Sequence, residues 1–263
     1  MIGAVIGDIA GSTREFRPLK TKDFEFFTRE STYTDDTLMT LAVWNAFEQW
    51  REGGDDSLAA LEALVITSMR DFASRFPLSL GGYGGRFSAW LSSQRPEPYN
   101  SWGNGAAMRV SAAGYFATDL SEALTYAAVT AKVTHNHPEG IKGAQATAGA
   151  IFLAREGASK DQIRDFVSQQ FYSLDFSLDE IRPDYGFDVS CQGTVPPAVV
   201  AFLESSSFED AVRNAISLGG DADTLGAITG SIAWPYYEGK DPGMQQLADT
   251  ARGILPPELR RGL

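Results

Sequence analysis

The sequence predicts an all-α fold, an orthogonal bundle of helices in a single domain over residues 1–263. Apolar residues recur at helical spacing along most of the chain, whereas alternating stretches rich in β-branched residues are almost absent. No proline- or serine-rich linker, charged run or low-complexity tract divides the chain. With 263 residues, 43% of them apolar, the chain is long enough to bury one large core.

Helical patterns in the N-terminal half begin with three glycines. Gly3, Gly7 and Gly11 recur every four residues, which indicates a first helix that approaches a neighbour closely. Residues 36–50 are apolar nearly all round and predict a buried helix. Three more helices are predicted: one from Ser57 through Met69, one from Ser121 through Val133, and one over residues 142–155.

The C-terminal half continues the helical pattern. Residues 161–171 are amphipathic, and a helix over residues 195–203 would have Pro196 and Pro197 in its first turn, where proline is tolerated. Residues 207–210 resemble a capping box ahead of the next helix. Residues 224–234 predict a last helix that carries Gly226 and Gly230 on one face. The intervening loops at 13–33, 77–105 and 172–194 are long, and such loops are usually disordered or functional.

Composition restricts the partners. A formal charge of −12 argues against binding to a nucleic-acid backbone, although backbone amides can still bind the phosphates of a nucleotide. Cys191 is the one cysteine, which excludes an intrachain disulfide and a thiolate zinc site and favours a cytoplasmic location. The apolar N-terminus lacks a basic region and is interrupted by Asp8, so we expect neither a secretory signal nor a membrane partner.

Two acidic clusters each precede an apolar helical pattern. One contains Thr34, Asp35 and Asp36, and the other contains Asp221, Asp223 and Thr224. Carboxylate and hydroxyl oxygens are the ligands that Mg²⁺, Mn²⁺ and Ca²⁺ prefer. Each cluster can also be read as a helix N-cap. A cap needs only one side-chain oxygen, however, and each cluster offers several, which favours a metal site.

Other polar segments carry weaker signals. Residues 101–109 place Gly103 and Gly105 ahead of a helical pattern, which is typical of a phosphate-binding loop or of a plain turn. His135 and His137 form a His-x-His pair without further zinc ligands at a standard spacing. A ligand-contacting or loop histidine is therefore favoured over a zinc ligand.

The order of these motifs resembles the ADP-ribosylglycohydrolase family. The motifs are G-D-x-x-G-x-x-x-E ending at Glu15, T-D-D-T at residues 34–37, S-x-G-N-G-A-A-M-R at residues 101–109, T-H at residues 134–135, and G-G-D-A-D-T at residues 219–224. The resemblance spans residues 3–234. It implies an all-α fold and a pair of Mg²⁺ or Mn²⁺ ions at the bottom of an ADP-ribose cleft.

The resemblance also implies roles for individual residues. Glu15 corresponds to a glutamate that approaches the scissile ribose, and it is the candidate catalytic residue together with Asp35 and Asp36. The implied metal ligands are Thr34, Asp35, Asp36, Asp221, Asp223 and Thr224. The implied substrate-binding residues are Trp102, Gly103, Asn104, Gly105, Met108 and His135, with Trp102 where many relatives have Tyr.

The predicted function is a metal-dependent hydrolase that cleaves the ribosyl C1 bond of ADP-ribosylated side chains or small ADP-ribose conjugates and releases ADP-ribose. One alternative is a protein of the same fold that binds ADP-ribose without turnover. Another is a binuclear phosphohydrolase that acts on nucleotide phosphates. The acceptor linkage, the choice between Mg²⁺ and Mn²⁺, and the oligomeric state stay open at this point.

Overall fold

Helices make up the regular secondary structure of the protein, which confirms the all-α prediction. The computed structural model describes residues 1–78 and 82–263, and within these ranges there is no β-strand, only an isolated bridge between Gly103 and Ser190. Fourteen α-helices and a 3₁₀ helix at Pro257–Leu259 are present there. The α-helices are α1 Ile2–Gly11, α2 Asp35–Glu52, α3 Leu58–Arg75, α4 Gly85–Ser92, α5 Gly105–Met108, α6 Ser111–Phe116, α7 Leu120–Lys132, α8 Pro138–Arg155, α9 Lys160–Gln170, α10 Leu178–Ile181, α11 Cys191–Leu203, α12 Phe208–Ile216, α13 Ala222–Tyr237 and α14 Met244–Ile254.

Local side-chain caps begin several helices where the sequence predicts them. Ser57 caps α3 by accepting a hydrogen bond from the Ala60 amide at 3.2 Å, and Ser207 caps α12 through the Asp210 amide at 3.1 Å. The predicted capping box at α12 is only half formed. The Asp210 carboxylate accepts from the Ser206 amide at 2.8 Å instead of from that of Ser207.

Two helices begin earlier than predicted. Asp119 caps α7 by accepting from the Glu122 amide at 2.8 Å, so Ser121 lies inside the helix and is not its cap. At α8, the His137 ring accepts from the Glu139 amide at 3.1 Å and the helix begins at Pro138. The first turn of α8 lacks the apolar spacing on which the prediction depended, and its start was therefore missed.

The prediction for Pro196 and Pro197 was wrong. Helix α11 begins five residues before Pro196, and both prolines lie inside it. Pro197 has no N–H to donate to the carbonyl of Gly193, four residues earlier. That carbonyl accepts a hydrogen bond from the Tyr185 hydroxyl at 3.0 Å. A tertiary contact thus replaces the missing helical bond.

The long predicted loops contain short helices. Helix α4 lies within the predicted loop at 77–105, and α10 lies within the predicted loop at 172–194. Residues 79–81 of the first loop lie outside the described residues. Helices of four to eight residues are too short to show a clear apolar period in the sequence, so these segments were predicted as loops.

A seam of glycines joins α1 to α13, as the four-residue glycine spacing predicts. A Cβ added to Gly7 would lie 1.9 Å from the Gly226 carbonyl oxygen, and one added to Gly3 would lie 2.2 Å from that of Gly230. No side chain larger than hydrogen fits at these crossings. The close approach brings the last turn of α1 against the first turn of α13, where a Cβ on Gly11 would lie 2.5 Å from Asp223 Cα.

The core lies around this seam. Its fully buried side chains come from helices distributed over the whole chain, and include Ile6, Leu38, Ile151, Phe202 and Ile228. Within residues 1–78 and 82–263, none of the helices has the length and apolar character needed to cross a membrane.

Candidate functional site

The first acidic cluster is organised by Asp8, a fully buried residue in the apolar helix α1. Its Oδ1 accepts from the Thr34 hydroxyl at 2.6 Å, and its Oδ2 accepts from the Thr34 and Thr37 amides at 2.9 and 3.1 Å. The Thr37 hydroxyl also donates to Oδ2. Asp8 therefore fixes the backbone from which the next two carboxylates, Asp35 and Asp36, project.

Thr34 has a structural part in this arrangement. Its hydroxyl donates to Asp8 and also accepts from the Asp36 amide at 3.2 Å, which caps α2. Its predicted role as a metal ligand stays a prediction. Asp8 was not among the predicted site residues. The signal for it was a lone carboxylate in an apolar helix, because a buried Asp is rare unless it is paired or hydrogen-bonded.

The second cluster lies at the start of α13. Gly219 has φ +58°, a left-handed conformation that favours glycine, and a Cβ there would lie 2.7 Å from the Leu19 carbonyl oxygen. The turn leads directly into Asp221 and Asp223. Both carboxylates are buried, and each offers an oxygen within 4.8 Å of the other and of a Glu15 oxygen.

The side chains present fit a hard divalent cation. The available ligand atoms are oxygens, and Asp36 Oδ1 is buried without a hydrogen-bond partner among the residues that the structure describes. The basic side chains that line the same cavity are engaged elsewhere: Arg86 donates to the Tyr99 carbonyl, and Arg109 donates to the Thr134 hydroxyl. Buried carboxylates without a basic partner are costly, and a cation would offset that cost.

Burial and mutual repulsion raise the pKa values of these carboxyl groups. Burial, followed by the charges of Asp8 and Asp35, raises the pKa of Asp36 well above its ordinary value. The pKa of Asp223 is raised in the same way, by burial and then by Asp36. The pKa of Glu15 is raised to about 7 by burial and by the nearby Asp221 and Asp8. Burial, followed by the charge of Asp8, likewise raises the pKa of Asp35 to about 7, and Glu15 and Asp35 are the two carboxylates here that are only partly buried.

The glycine loop at residues 101–109 packs against the second cluster. Asn104 Nδ2 donates to Asp221 Oδ2 at 2.6 Å and to the Thr194 hydroxyl at 3.1 Å. The backbone N–H of Asn104 donates to the Val189 carbonyl at 2.7 Å. Asn104 therefore orients an acidic side chain besides facing the cavity. Cys191 Sγ donates to the Gly103 carbonyl at 3.1 Å, and burial raises the pKa of its thiol to about 12. This buried, protonated thiol is not a nucleophile.

One cavity of about 490 Å³ brings the two clusters and the loop together. Its volume lies within the usual range for small-molecule sites, which is about 300–1,000 Å³. Eleven of the predicted site residues line it: Glu15, Asp35, Asp36, Gly103, Asn104, Gly105, Met108, His135, Asp221, Asp223 and Thr224. The structure thus gathers residues that are up to 209 positions apart in the sequence.

Two predicted site residues do not line the cavity. Thr34 is fully buried, and Trp102 is 47% exposed with its ring 5.5 Å from the His137 ring. The binding role of Trp102 stays a prediction. Lining residues that were not predicted include Phe16, Arg86, Phe87, Tyr99, Arg109, Phe187 and Val189. The signals were positional: Phe16 directly follows the motif that ends at Glu15, and Arg109 is the last residue of the motif at residues 101–109.

The exposed cavity rim includes an aromatic pair. Phe16, which follows Glu15, is 74% exposed and stacks on Phe187 with 6.3 Å between ring centroids. Phe187 comes from the segment between α10 and α11. The pair therefore joins the Glu15 loop to the wall that holds the glycine loop.

The fold and the site define an all-helical protein with a buried oxygen-donor cluster at the base of a ligand-sized cavity. A family model described as ADP-ribosylglycohydrolase matches residues 1–236, and the chain belongs to that family. A solved ADP-ribosylglycohydrolase-related protein complex has the same fold, with a TM-score of 0.64 at 21% identity, covering 95% of this chain and 93% of that one.

Curated relatives share about a quarter of their residues with this chain. The ADP-ribosylarginine hydrolase Tri1 of Pseudomonas putida is 26% identical over 90% of this chain and 69% of its own length. The ADP-ribosylhydrolase ARH3 of Mus musculus is 26% identical over 83% of this chain and 71% of its own length.

Proposed function

We propose that this protein is a metal-dependent hydrolase that cleaves the ribosyl C1 bond of an ADP-ribose conjugate and releases intact ADP-ribose. Family membership supports the hydrolase class. The observation that carries the proposal is the set of buried carboxylates at the base of the cavity, which have no basic partner within residues 1–78 and 82–263. We treat residues 1–263 as one catalytic domain and propose a cytoplasmic location.

The proposed metal site holds two Mg²⁺ or Mn²⁺ ions. Its ligands would be Thr34, Asp35, Asp36, Asp221, Asp223 and Thr224. When bound, such ions lower the pKa of water and stabilise charge on oxygen atoms. The carboxylates supply the negative charge that binds them, and Asp8 and Asn104 keep Asp36 and Asp221 in place through the hydrogen bonds described above.

The proposed catalytic base is Glu15. Cleavage of a ribosyl bond passes through an oxocarbenium-like state, so the attacking water must lose a proton as the C1 bond breaks. Glu15 is a partly buried carboxylate that lines the cavity and has an oxygen within 4.8 Å of an oxygen of Asp221 and of Asp223, so it lies beside the proposed metal site, where a carboxylate could accept that proton. The glycine loop, with no Cβ at Gly103 and Gly105, leaves room for a diphosphate beside His135.

Three outcomes of one assay distinguish this proposal from its alternatives. The purified protein is incubated with ADP-ribosylated Arg, ADP-ribosylated Ser and O-acetyl-ADP-ribose, each with and without EDTA, and the products are identified by mass. Release of intact ADP-ribose that stops in EDTA is the expected result. Release of phosphate or a mononucleotide would indicate a phosphohydrolase, and binding without any product would indicate a non-catalytic receptor.

The panel includes the arginine linkage because the Pseudomonas relative is named for it. Glu15→Gln serves as the matched control, since it keeps the size of the side chain and removes the proposed base. Product formation by this variant at the wild-type rate would exclude Glu15 from the reaction.

A further inference from the structure

A chain of three buried side chains leads from Arg109 to the cavity. Arg109 Nη2 donates to the Thr134 hydroxyl oxygen at 2.7 Å, and this oxygen lies 2.7 Å from His135 Nδ1. All three residues are buried, and Arg109 is 1% exposed. Arg109 has no carboxylate partner among the described residues, so its placement calls for another explanation.

The direction of the hydrogen bonds follows from what each group can donate. A guanidinium only donates, so the Thr134 oxygen is the acceptor of the Arg109 bond. The hydroxyl proton of Thr134 then needs an acceptor of its own. Among the described residues His135 Nδ1 is the acceptor within reach, because Arg109, the other partner of this hydroxyl, donates to it. Nδ1 is therefore unprotonated.

The opposite arrangement would leave a buried donor unsatisfied. If Nδ1 carried the proton and donated to Thr134, the hydroxyl proton would have no partner in a fully buried position, which is costly.

The His135 ring is also neutral. Burial lowers the pKa of His135 well below its ordinary value, and the charges of Arg109 and Arg86 lower it further. A neutral ring with unprotonated Nδ1 carries its proton on Nε2.

Nε2 lies at the glycine loop of the cavity. A Cβ on Gly103 would lie 3.3 Å from Nε2, and a Cβ on Gly105 would lie 3.4 Å from it. Both positions lack a Cβ, and His135 itself lines the cavity. Nε2 makes no hydrogen bond with the part of the chain that the structure describes. Its N–H is thus free to donate to an oxygen atom of a ligand.

We propose that Arg109 and Thr134 are positioning residues that hold His135 as the Nε2–H tautomer, so that it presents a neutral hydrogen-bond donor to a phosphate or ribose oxygen of the ligand. This inference rests on the proposed function for the identity of the ligand. Arg109 acts through Thr134: by occupying one side of the hydroxyl oxygen, it directs the hydroxyl proton to Nδ1.

The tautomer is measurable in the ligand-free protein. In ¹⁵N NMR of the full chain labelled at histidine, we expect His135 Nδ1 to resonate in the unprotonated, pyridine-type range and Nε2 in the protonated, pyrrole-type range. The chain has two histidines, so His137→Gln assigns both rings. A wild-type spectrum with protonated Nδ1 at His135 would overturn the proposal without any variant.

A pair of variants tests the role of the hydroxyl. Thr134→Ser keeps the hydroxyl and should keep the His135 pattern, whereas Thr134→Val removes it and should give a mixture of tautomers. The His137 ring, whose Nδ1 accepts from the Glu139 amide at 3.1 Å, is the internal control and should not change. An unchanged His135 pattern in folded Thr134→Val would show that Thr134 does not set the tautomer.

Ligand binding completes the test. By calorimetry, Thr134→Val should bind ADP-ribose about 2- to 10-fold more weakly than wild type, as expected for one net hydrogen bond, and Thr134→Ser should bind near normally. If Thr134→Val bound ADP-ribose as tightly as Thr134→Ser, the positioning role of the Thr134 hydroxyl would be contradicted. The NMR result does not depend on turnover, so failure of the hydrolase assay and failure of this inference are separate outcomes.

Discussion

Gly11→Ala tests whether the glycine seam between α1 and α13 sets the geometry of the candidate metal site. The new Cβ would lie 2.5 Å from both the Ala222 carbonyl oxygen and Asp223 Cα. This is roughly 1 Å inside the 3.4 Å at which ordinary contact begins. Both atoms belong to the backbone, so no side-chain rotation relieves the overlap, and the start of α13 must move.

The expected cost follows from that displacement. Overpacking of this kind lowers the free energy of unfolding by about 1–3 kcal/mol. A binding constellation needs its groups within about 0.5 Å of their productive positions, and a shift of about 1 Å exceeds that tolerance. We therefore expect the affinity for Mg²⁺ or Mn²⁺ to fall by about 10- to 100-fold, the range typical of changes to groups that orient ligands.

Calorimetric titration with Mn²⁺ and thermal unfolding in EDTA measure the two effects separately. Gly3→Ala is the matched control at the far end of the seam, where the Cβ would lie 2.2 Å from the Gly230 carbonyl oxygen. It should lower stability with a smaller effect on metal affinity. A Cβ at Gly253 would have no atom of the described residues within 4 Å, so Gly253→Ala should lower neither stability nor metal affinity. Wild-type metal affinity in Gly11→Ala would refute the reasoning.

Four further predictions concern the carboxylates. Glu15→Gln should retain metal and ADP-ribose binding, measured by elemental analysis and calorimetry, while turnover falls by about 10²–10⁴; near wild-type turnover would contradict this. Asp36→Asn should lower metal content and turnover together, whereas a helix-cap role would tolerate Asn. The pKa values of Glu15 and Asp35 are raised to about 7 in the folded protein, so protonation stabilises the metal-free fold. In EDTA, the contribution of these two groups to the free energy of unfolding should be greatest below about pH 4. It should be lost as the pH rises through about 7. His135, whose pKa is lowered, contributes in the opposite direction: its contribution to the free energy of unfolding is complete above about pH 6.5 and is lost as the pH falls below that value. Added Mg²⁺ should raise the melting temperature more at pH 7 than at pH 5, because the ligands must be deprotonated, and an equal rise at both would contradict the assignment.

The sequence by itself determined the fold class, several helix boundaries and the identity of the acidic clusters. Helical spacing and caps such as Ser57 are local signals, because a cap bonds to an amide only a few residues away. The four-residue glycine spacing likewise indicated a close helix contact, although it did not name the partner helix. Cluster residues such as Asp36 and Asp223 were found because their density exceeds what a cap requires.

Only the tertiary structure decided how these residues act together. Asp8 supports Thr34 across 26 positions of sequence, and Tyr185 replaces a helical bond that proline removes from α11. The protonated nitrogen of His135 depends on Arg109, which is also 26 positions away. Such contacts leave no local pattern, because each joins groups that are brought together only when the helices pack. The sequence therefore determines which chemical groups are available, whereas the packing of the helices determines their hydrogen-bond partners and protonation states.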